Sequence, residues 1–261
     1  MPNDIQIDTG FSAAYRTLES RMKALAEADG DVFLPNPEPA GPVEHVLICM
    51  EPSLRWWSRD AEDAKAKIAA GFRNFVFLDH GTLSLHFSIR EYLCGPGERY
   101  YLTDISKGVM AVKRAGIDRT KRWDRWYPLL LDELNLVARA GAHIFAVGDV
   151  VDGFLSDRSF PSRLTKAIHY STVMHYSPQN VAHRKKRIAG HEADFEEFKR
   201  SLSIARVLAR AKEVMTESLP PSLRDLALAR LTPLHLFESD LQLIFIYKLA
   251  FEAAVASRAT P

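Results

Sequence analysis

The run from Val43 to Met50 closes in Val46-Leu-Ile-Cys-Met50, almost wholly apolar, and turns straight into Glu51-Pro52-Ser53. Uninterrupted apolar character, rather than alternation, predicts a strand covered on both faces, and such strands belong to parallel sheets sandwiched by helices. Ala142-His-Ile-Phe-Ala-Val147 repeats the pattern, and Tyr100 to Leu102 is a third candidate strand. Between them, residues 10–28, 60–71 and 129–140 carry apolar side chains at helical spacing, and a short helix is expected after Gly148-Asp149, through Leu155. Residues 34–42 hold too many prolines for helix or inner strand and read as an extended crossing segment. Asn74 to Leu78 resembles a short buried segment, whereas Leu83 to Leu93 fits either helix or strand. The alternation predicts an α/β fold: three αβα layers around a mainly parallel central sheet, with a C-terminal helical extension. Domain boundaries are expected at 1–190 for the α/β domain and 191–261 for the extension, which packs on the same domain.

At 261 residues and 47% hydrophobic content, the chain can bury a full core. Its net charge of +1 excludes a wholly basic DNA-coating protein but leaves room for a local basic groove. Cys49 and Cys94 are the only cysteines, so the chain by itself supplies no four-cysteine zinc or iron–sulfur site, and reduced thiols are expected. The first residues lack the basic and apolar blocks of a signal peptide, and no uncharged apolar run is long enough to span a bilayer. A cytoplasmic protein without membrane, metal or cofactor is the expectation.

In parallel sheets, ligands bind outside the C-terminal strand ends, where Glu51, Asp104 and Gly148 are all expected. Asp104 there is either a turn former or a pocket acid. Glu51 either sits on a surface turn or orients a water and stabilises a developing cation. His175, in Val173-Met-His-Tyr-Ser-Pro178, is a structural hydrogen-bonding group or a donor to a developing anion. The run His183-Arg184-Lys185-Lys186-Arg187 is a solvated face or a set of phosphate contacts. Trp56-Trp57 and Trp123-Asp-Arg-Trp-Tyr127 mix aromatics with basic neighbours, for packing or base stacking.

Taken in order, Cys49-Met-Glu-Pro-Ser53, Leu85-His-Phe-Ser-Ile89, Leu102-Thr-Asp-Ile-Ser-Lys107, Ile144-Phe-Ala-Val-Gly148 and His175-Tyr-Ser-Pro178 resemble the motifs of the uracil-DNA glycosylase superfamily. The resemblance spans Val43 to Arg187. It implies that Glu51 handles the attacking water, Phe87 stacks on the extruded base, Asp104 reads the base edge and His175 stabilises the departing base. It further implies DNA as partner, contacted by Ser177, Gln179, His183, Arg184, Lys185, Lys186 and Arg187, and a monomer that leaves an abasic site. Extrusion is needed because a stacked, paired base hides its glycosidic carbon.

Departures from the family pattern redirect the substrate. Asp104 stands where asparagine is usual; an ionised carboxylate only accepts, so it repels uracil O4 yet accepts from the amine of cytosine. Cytosine N3 is also an acceptor, so a proton must be supplied, on Asp104 or on the base. Ser53 replaces a bulky tyrosine and leaves room at C5. A 5-substituted cytosine, such as glucosylated 5-hydroxymethylcytosine of phage DNA, is therefore the expected substrate, and antiviral defence the expected setting. Gln179-Asn180 replaces an apolar wedge. Alternatives are a uracil or mismatch repair glycosylase, a non-catalytic module that binds modified DNA, and a metal-dependent hydrolase using Asp79-His80, Asp149, Asp152 and His169.

Overall fold

The computed structural model describes residues 9–54, 57–76, 79–111, 117–162, 164–167, 178–218, 221–231 and 235–258. By contact the chain forms two compact units that interleave: residues 1–74 with 98–166, and residues 75–97 with 167–261. The sequence reading places its boundary at residue 190, and each contact unit is made of two separate stretches of sequence.

In the first unit, strands β1 (Val32–Phe33), β2 (Val43–Cys49), β3 (Ser53–Leu54), β4 (Tyr100–Asp104), β5 (Gly108–Ala111) and β6 (Ala138–Val147) alternate with helices α1 (Thr9–Ala28), α2 (Ala61–Ala69), α4 (Arg119–Val137) and α5 (Asp149–Ser156). With β7 (Leu164–Ala167), the main sheet runs in the order β4-β2-β6-β7, and β2 lies parallel to both β4 and β6. This is the expected α/β architecture with a parallel sheet flanked by helices. The strands carry the pleat predicted for two-sided burial. Val46, Ile48, Tyr101, Ile144 and Ala146 join one core cluster with Phe11 and Tyr15 of α1, Trp123, Leu130 and Leu134 of α4, and Phe154 of α5. Leu47, Cys49, Leu102, Phe145 and Val147, pointing to the other face, are buried as well.

Two differences from the sequence reading have physical causes. Helix α4 starts at Arg119 and carries Pro128 in its interior; Trp123, Leu130 and Leu134 pack in one core cluster and Trp126 and Leu129 in another. Its end falls at Val137, and Ala138 already pairs with Val43 across a bulge, so the helix expected to run to residue 140 gives way to strand. A second, small sheet of order β1-β5-β3 was not expected. There Gly108 lies beside Asp31, and an added Cβ would sit 2.8 Å from its Oδ2, so any larger residue would make the Asp31 side chain shift.

In the second unit, the ambiguous stretch is helical: α3 (His80–Ser88) runs into a π-helical turn, Ile89–Leu93. Asp79 caps α3 by accepting from the Thr82 N–H at 2.8 Å. The remaining described residues form α6 (Pro178–Ile188), α7 (Glu192–Ser201), α8 (Ile204–Ser218), α9 (Pro221–Leu231) and α10 (Glu238–Arg258), with α10 packed along α3 and the π-helical turn. Among the described residues no helix is long and apolar enough to cross a membrane.

A buried polar network ties the first unit together. The Lys107 ammonium donates to Thr103 Oγ1 (2.6 Å), the Asp104 carbonyl (2.6 Å) and Glu133 Oε2 (2.9 Å). Glu133, on α4, also accepts from the Tyr101 and Thr103 hydroxyls at 2.9 and 2.8 Å. Tyr15 of α1 shares a 2.8 Å hydrogen bond with the Tyr101 hydroxyl, and Asn36 of the proline-rich segment donates to Tyr101 and Thr103. Lys107 and Glu133 side chains are each 2% exposed, so each is compensated only by the other and by these hydrogen bonds. Removing one member strands a buried charge, at a cost of about 3–5 kcal/mol. Lys107→Met is therefore expected to lower stability by about that amount in urea unfolding; a loss under about 1 kcal/mol would show that the pair is dispensable.

Candidate functional site

The C-terminal edge of the parallel strands gathers the acids that sequence placed there. Cys49 pairs with Asp104 at the ends of β2 and β4, and the chain leaving β4 folds back onto β2. The amide of Ile105 donates to the carbonyls of Cys49 and Met50, and that of Ser106 to Met50. These bonds bring the Asp104 turn against the Glu51 turn. Asp104 is the last residue of β4 rather than the first beyond it.

Glu51 is held by the start of α4. Its side chain is 3% exposed; Oε1 lies 2.8 Å from Arg119 Nη2 and accepts from Arg119 Nε at 3.1 Å, while Oε2 accepts from the Trp123 indole at 2.8 Å. The Arg122 guanidinium stands 3.8 Å from Oε2. Burial raises the Glu51 pKa, and the two guanidiniums pull against that rise. The result is a desolvated carboxylate fixed in one orientation by cationic partners.

Asp104 is 3% exposed, and its Oδ2 accepts from the Asn74 amide at 2.7 Å. Burial pushes its carboxyl up to about 7; the Lys107 ammonium and the Asn74 hydrogen bond oppose the rise, and the nearby Glu51 and Glu133 charges add to it. Burial, with the Asp104 charge adding to it, raises the Cys49 thiol well above its ordinary value. Two carboxyl groups thus face one strand edge in different environments, one beside guanidiniums and one near neutrality. Ser53 opens β3, is half-buried, and its carbonyl accepts from the Trp57 indole at 2.9 Å. Trp57 itself stacks on Phe72 at 4.7 Å, which makes it packing.

The other expected site residues belong to the second unit. Phe87 lies on α3, 1% exposed, edge-on to Tyr92 at 6.0 Å. Gln179 is exposed on α6, as are Lys185, Lys186 and Arg187, while His183 is half-buried. Arg184 faces inward: it is 4% exposed and donates to Gln242 Oε1 at 2.7 Å, so the basic run is not one uniform surface. His175, Ser177 and His169 lie outside the described residues. The acids proposed for a metal are engaged elsewhere: Asp79 caps α3, His80 contacts Asp240 at 3.2 Å, and Lys166 bridges Asp149 and Asp152 at 2.8 and 3.5 Å. Among the described residues no group of three or more candidate ligands could hold a metal ion.

Sequence reasoning did not single out Asn74, Arg119 or Arg122. Asn74 is an isolated polar residue at the head of an apolar run, a weak sign that its amide meets a buried acceptor. Arg119 and Arg122 lie just before Trp123 to Tyr127, the stretch weighed for base stacking, and Trp123 itself turns inward to Glu51.

A folded-state carboxyl pKa above the unfolded value means that the native chain binds the Asp104 proton more tightly. This contribution to stability is complete below the unfolded pKa near 4 and is lost as pH rises through about 7. Asp104→Asn is thus expected to gain stability relative to wild type between pH 4 and pH 8, by roughly 4 kcal/mol at most. Paired thermal melts across that range test it, and a difference independent of pH would refute the raised pKa. No family model matches the chain, and neither does any curated protein or solved structure.

Proposed function

We propose that the protein is a monofunctional DNA glycosylase that hydrolyses the N-glycosidic bond of an extruded 5-substituted cytosine, such as glucosylated 5-hydroxymethylcytosine in phage DNA, and leaves an abasic site. The observation that carries this reading is Asp104: a carboxyl at the end of a parallel strand, buried, pinned by Asn74, and titrating near neutrality. A neutral carboxylic acid presents one donor and one acceptor side by side, which complements cytosine N3 and its exocyclic amine. The half-buried Ser53 leaves the C5 edge uncrowded. Glu51, fixed by Arg119 and Trp123, keeps Oε2 beside a single strong donor, so a second lone pair there can orient the attacking water. As water bonds to the sugar carbon it passes a proton to Glu51, and the glycosidic bond breaks with its electron pair leaving on the base, which takes up a proton. His175 is the expected donor to that departing base, an assignment that rests on the motif resemblance. No lysine is invoked as nucleophile, so no strand break accompanies release.

The ion pairing of Glu51 favours one second reading. A carboxylate bound by two arginines also suits a structural tie, as expected for a protein that binds modified DNA without cleaving it. Incubation with plain, uracil-containing, hydroxymethylated and glucosylated DNA, with mass detection of released base, separates the two. Release that is lost in Glu51→Gln and His175→Ala while binding persists supports the enzyme; no release from any of these DNAs supports the reader.

Acid–base logic sets the pH profile. With Asp104 required neutral, single-turnover release is expected to rise about fivefold on going down from pH 8 to 7 and to level off about one pH unit below that. It should fall again at more acidic pH, once Glu51 takes up a proton. Asp104→Asn should shift preference from cytosine derivatives toward uracil. An unchanged substrate order would remove Asp104 from base reading, and a flat profile would remove its proton from the mechanism.

A further inference from the structure

A neutral carboxylic acid has two oxygens and one proton, and the oxygen that holds the proton decides the order of donor and acceptor shown to a base. We infer that Asn74 is a positioning residue that sets base choice: its amide keeps the proton of Asp104 on Oδ1, so that Oδ1 donates to the base and Oδ2 accepts from it. This inference rests on the glycosylase reading and deepens it.

The two oxygens of Asp104 are not equivalent. Oδ2 accepts from the Asn74 side-chain amide at 2.7 Å, and no other hydrogen bond to this carboxyl is found among the described residues. In a neutral carboxyl the carbonyl oxygen is the better acceptor, so a donor held on Oδ2 makes it the carbonyl oxygen and leaves the proton to Oδ1. The bond also keeps the group from turning over. Exchanging the two oxygens would break it in a pocket where Asp104 is 3% and Asn74 9% exposed.

Asn74 is itself held. Its backbone N–H donates to the Pro35 carbonyl at 2.9 Å, and Asn36, next in the proline-rich segment, donates to the Tyr101 and Thr103 hydroxyls of β4 at 3.1 and 3.2 Å. That segment thus ties the Asn74 backbone to the strand that carries Asp104. Directly after Asn74, Phe75 adopts a left-handed conformation (φ 59°), which costs a non-glycine residue energy. Strain of this kind persists only where the surroundings fix it, and here it lies immediately beyond the positioning amide.

The consequence is specificity. Cytosine sets a donor, its exocyclic amine, beside an acceptor, N3, and so matches Oδ2 as acceptor and Oδ1 as donor. Uracil sets O4, an acceptor, beside N3–H, a donor. With its proton on Oδ2, a neutral Asp104 would serve uracil in the same seating. A neutral acid alone does not choose between the two bases; the Asn74 amide excludes the uracil order.

The test removes the donor with Asn74→Leu, similar in size. Lys107, Glu51, Glu133 and Cys49, the other titratable groups around Asp104, stay in place. Single-turnover release is compared on DNA with glucosylated 5-hydroxymethylcytosine and on DNA with uracil, and the preference for the cytosine derivative is expected to fall about tenfold. In the free protein, the 13C carboxyl signal of Asp104 should titrate at higher pH than in wild type, because the amide bond favours the ionised form. A purely structural Asn74 would change stability and leave that midpoint in place. An unchanged midpoint or an unchanged base preference would overturn the proposal. So would a lowered midpoint, which would mean that Asn74 accepts the proton of Oδ2 instead. Wild type supplies a measurement that does not depend on the variant folding: the side-chain amide protons of 15N-labelled Asn74 should move downfield as Asp104 ionises at about pH 7, and their standing still would equally overturn it. A raised midpoint in Asn74→Leu with no base released by wild type from any DNA would support the proton order and refute the glycosylase reading.

Discussion

The constraint on which the first unit depends is the buried ion pair between Lys107 and Glu133. An ammonium and a carboxylate, each 2% exposed, persist inside a protein only if every remaining hydrogen-bonding direction is met. Thr103, Tyr101 and the Asp104 carbonyl meet them, and Tyr15 and Asn36 in turn bond the Tyr101 and Thr103 hydroxyls. Those partners come from α1, the proline-rich segment, β4 and α4. The pair therefore specifies how elements far apart in sequence register against the sheet, which apolar packing alone would leave freer.

Its consequence reaches the strand edge. Lys107 grips the Asp104 carbonyl and holds the end of β4 in place, while its positive charge restrains a carboxyl that burial alone would drive higher. Across the edge, Arg119 and Arg122 do the corresponding work for Glu51. Two acids that look alike in sequence are thereby given different chemistry. One is a fixed carboxylate among guanidiniums, and the other is poised to exchange its proton near neutral pH. The difference follows from their neighbours and not from their type.

Much of the fold was legible because apolar periodicity is a local signal. Val46 to Met50 and Ile144 to Val147 could be read as two-sided strands, and Phe11, Tyr15, Leu18 and Met22 as one helix face, since burial demands those patterns. Ala138 to Gly141 misled because alanine and arginine favour helix, and only pairing with β2 makes them strand. The small sheet of β1, β3 and β5 escaped notice because its strands are too short to carry a period. Glu51 and Asp104 could be placed at strand ends, whereas Asn74, Arg119 and Arg122 have no local pattern that connects them to either acid.

The sequence by itself determined the layered α/β plan, the strand-edge position of Glu51 and Asp104, and the presence of a basic run near residue 185. Only the tertiary structure decided what those groups are. Burial beside Asn74 and Lys107 makes Asp104 a near-neutral acid, ion pairing makes Glu51 a fixed one, and Gln242 turns Arg184 away from solvent. The reason is physical: a side chain's type is written in the chain, but its charge and direction depend on neighbours that folding brings from other segments.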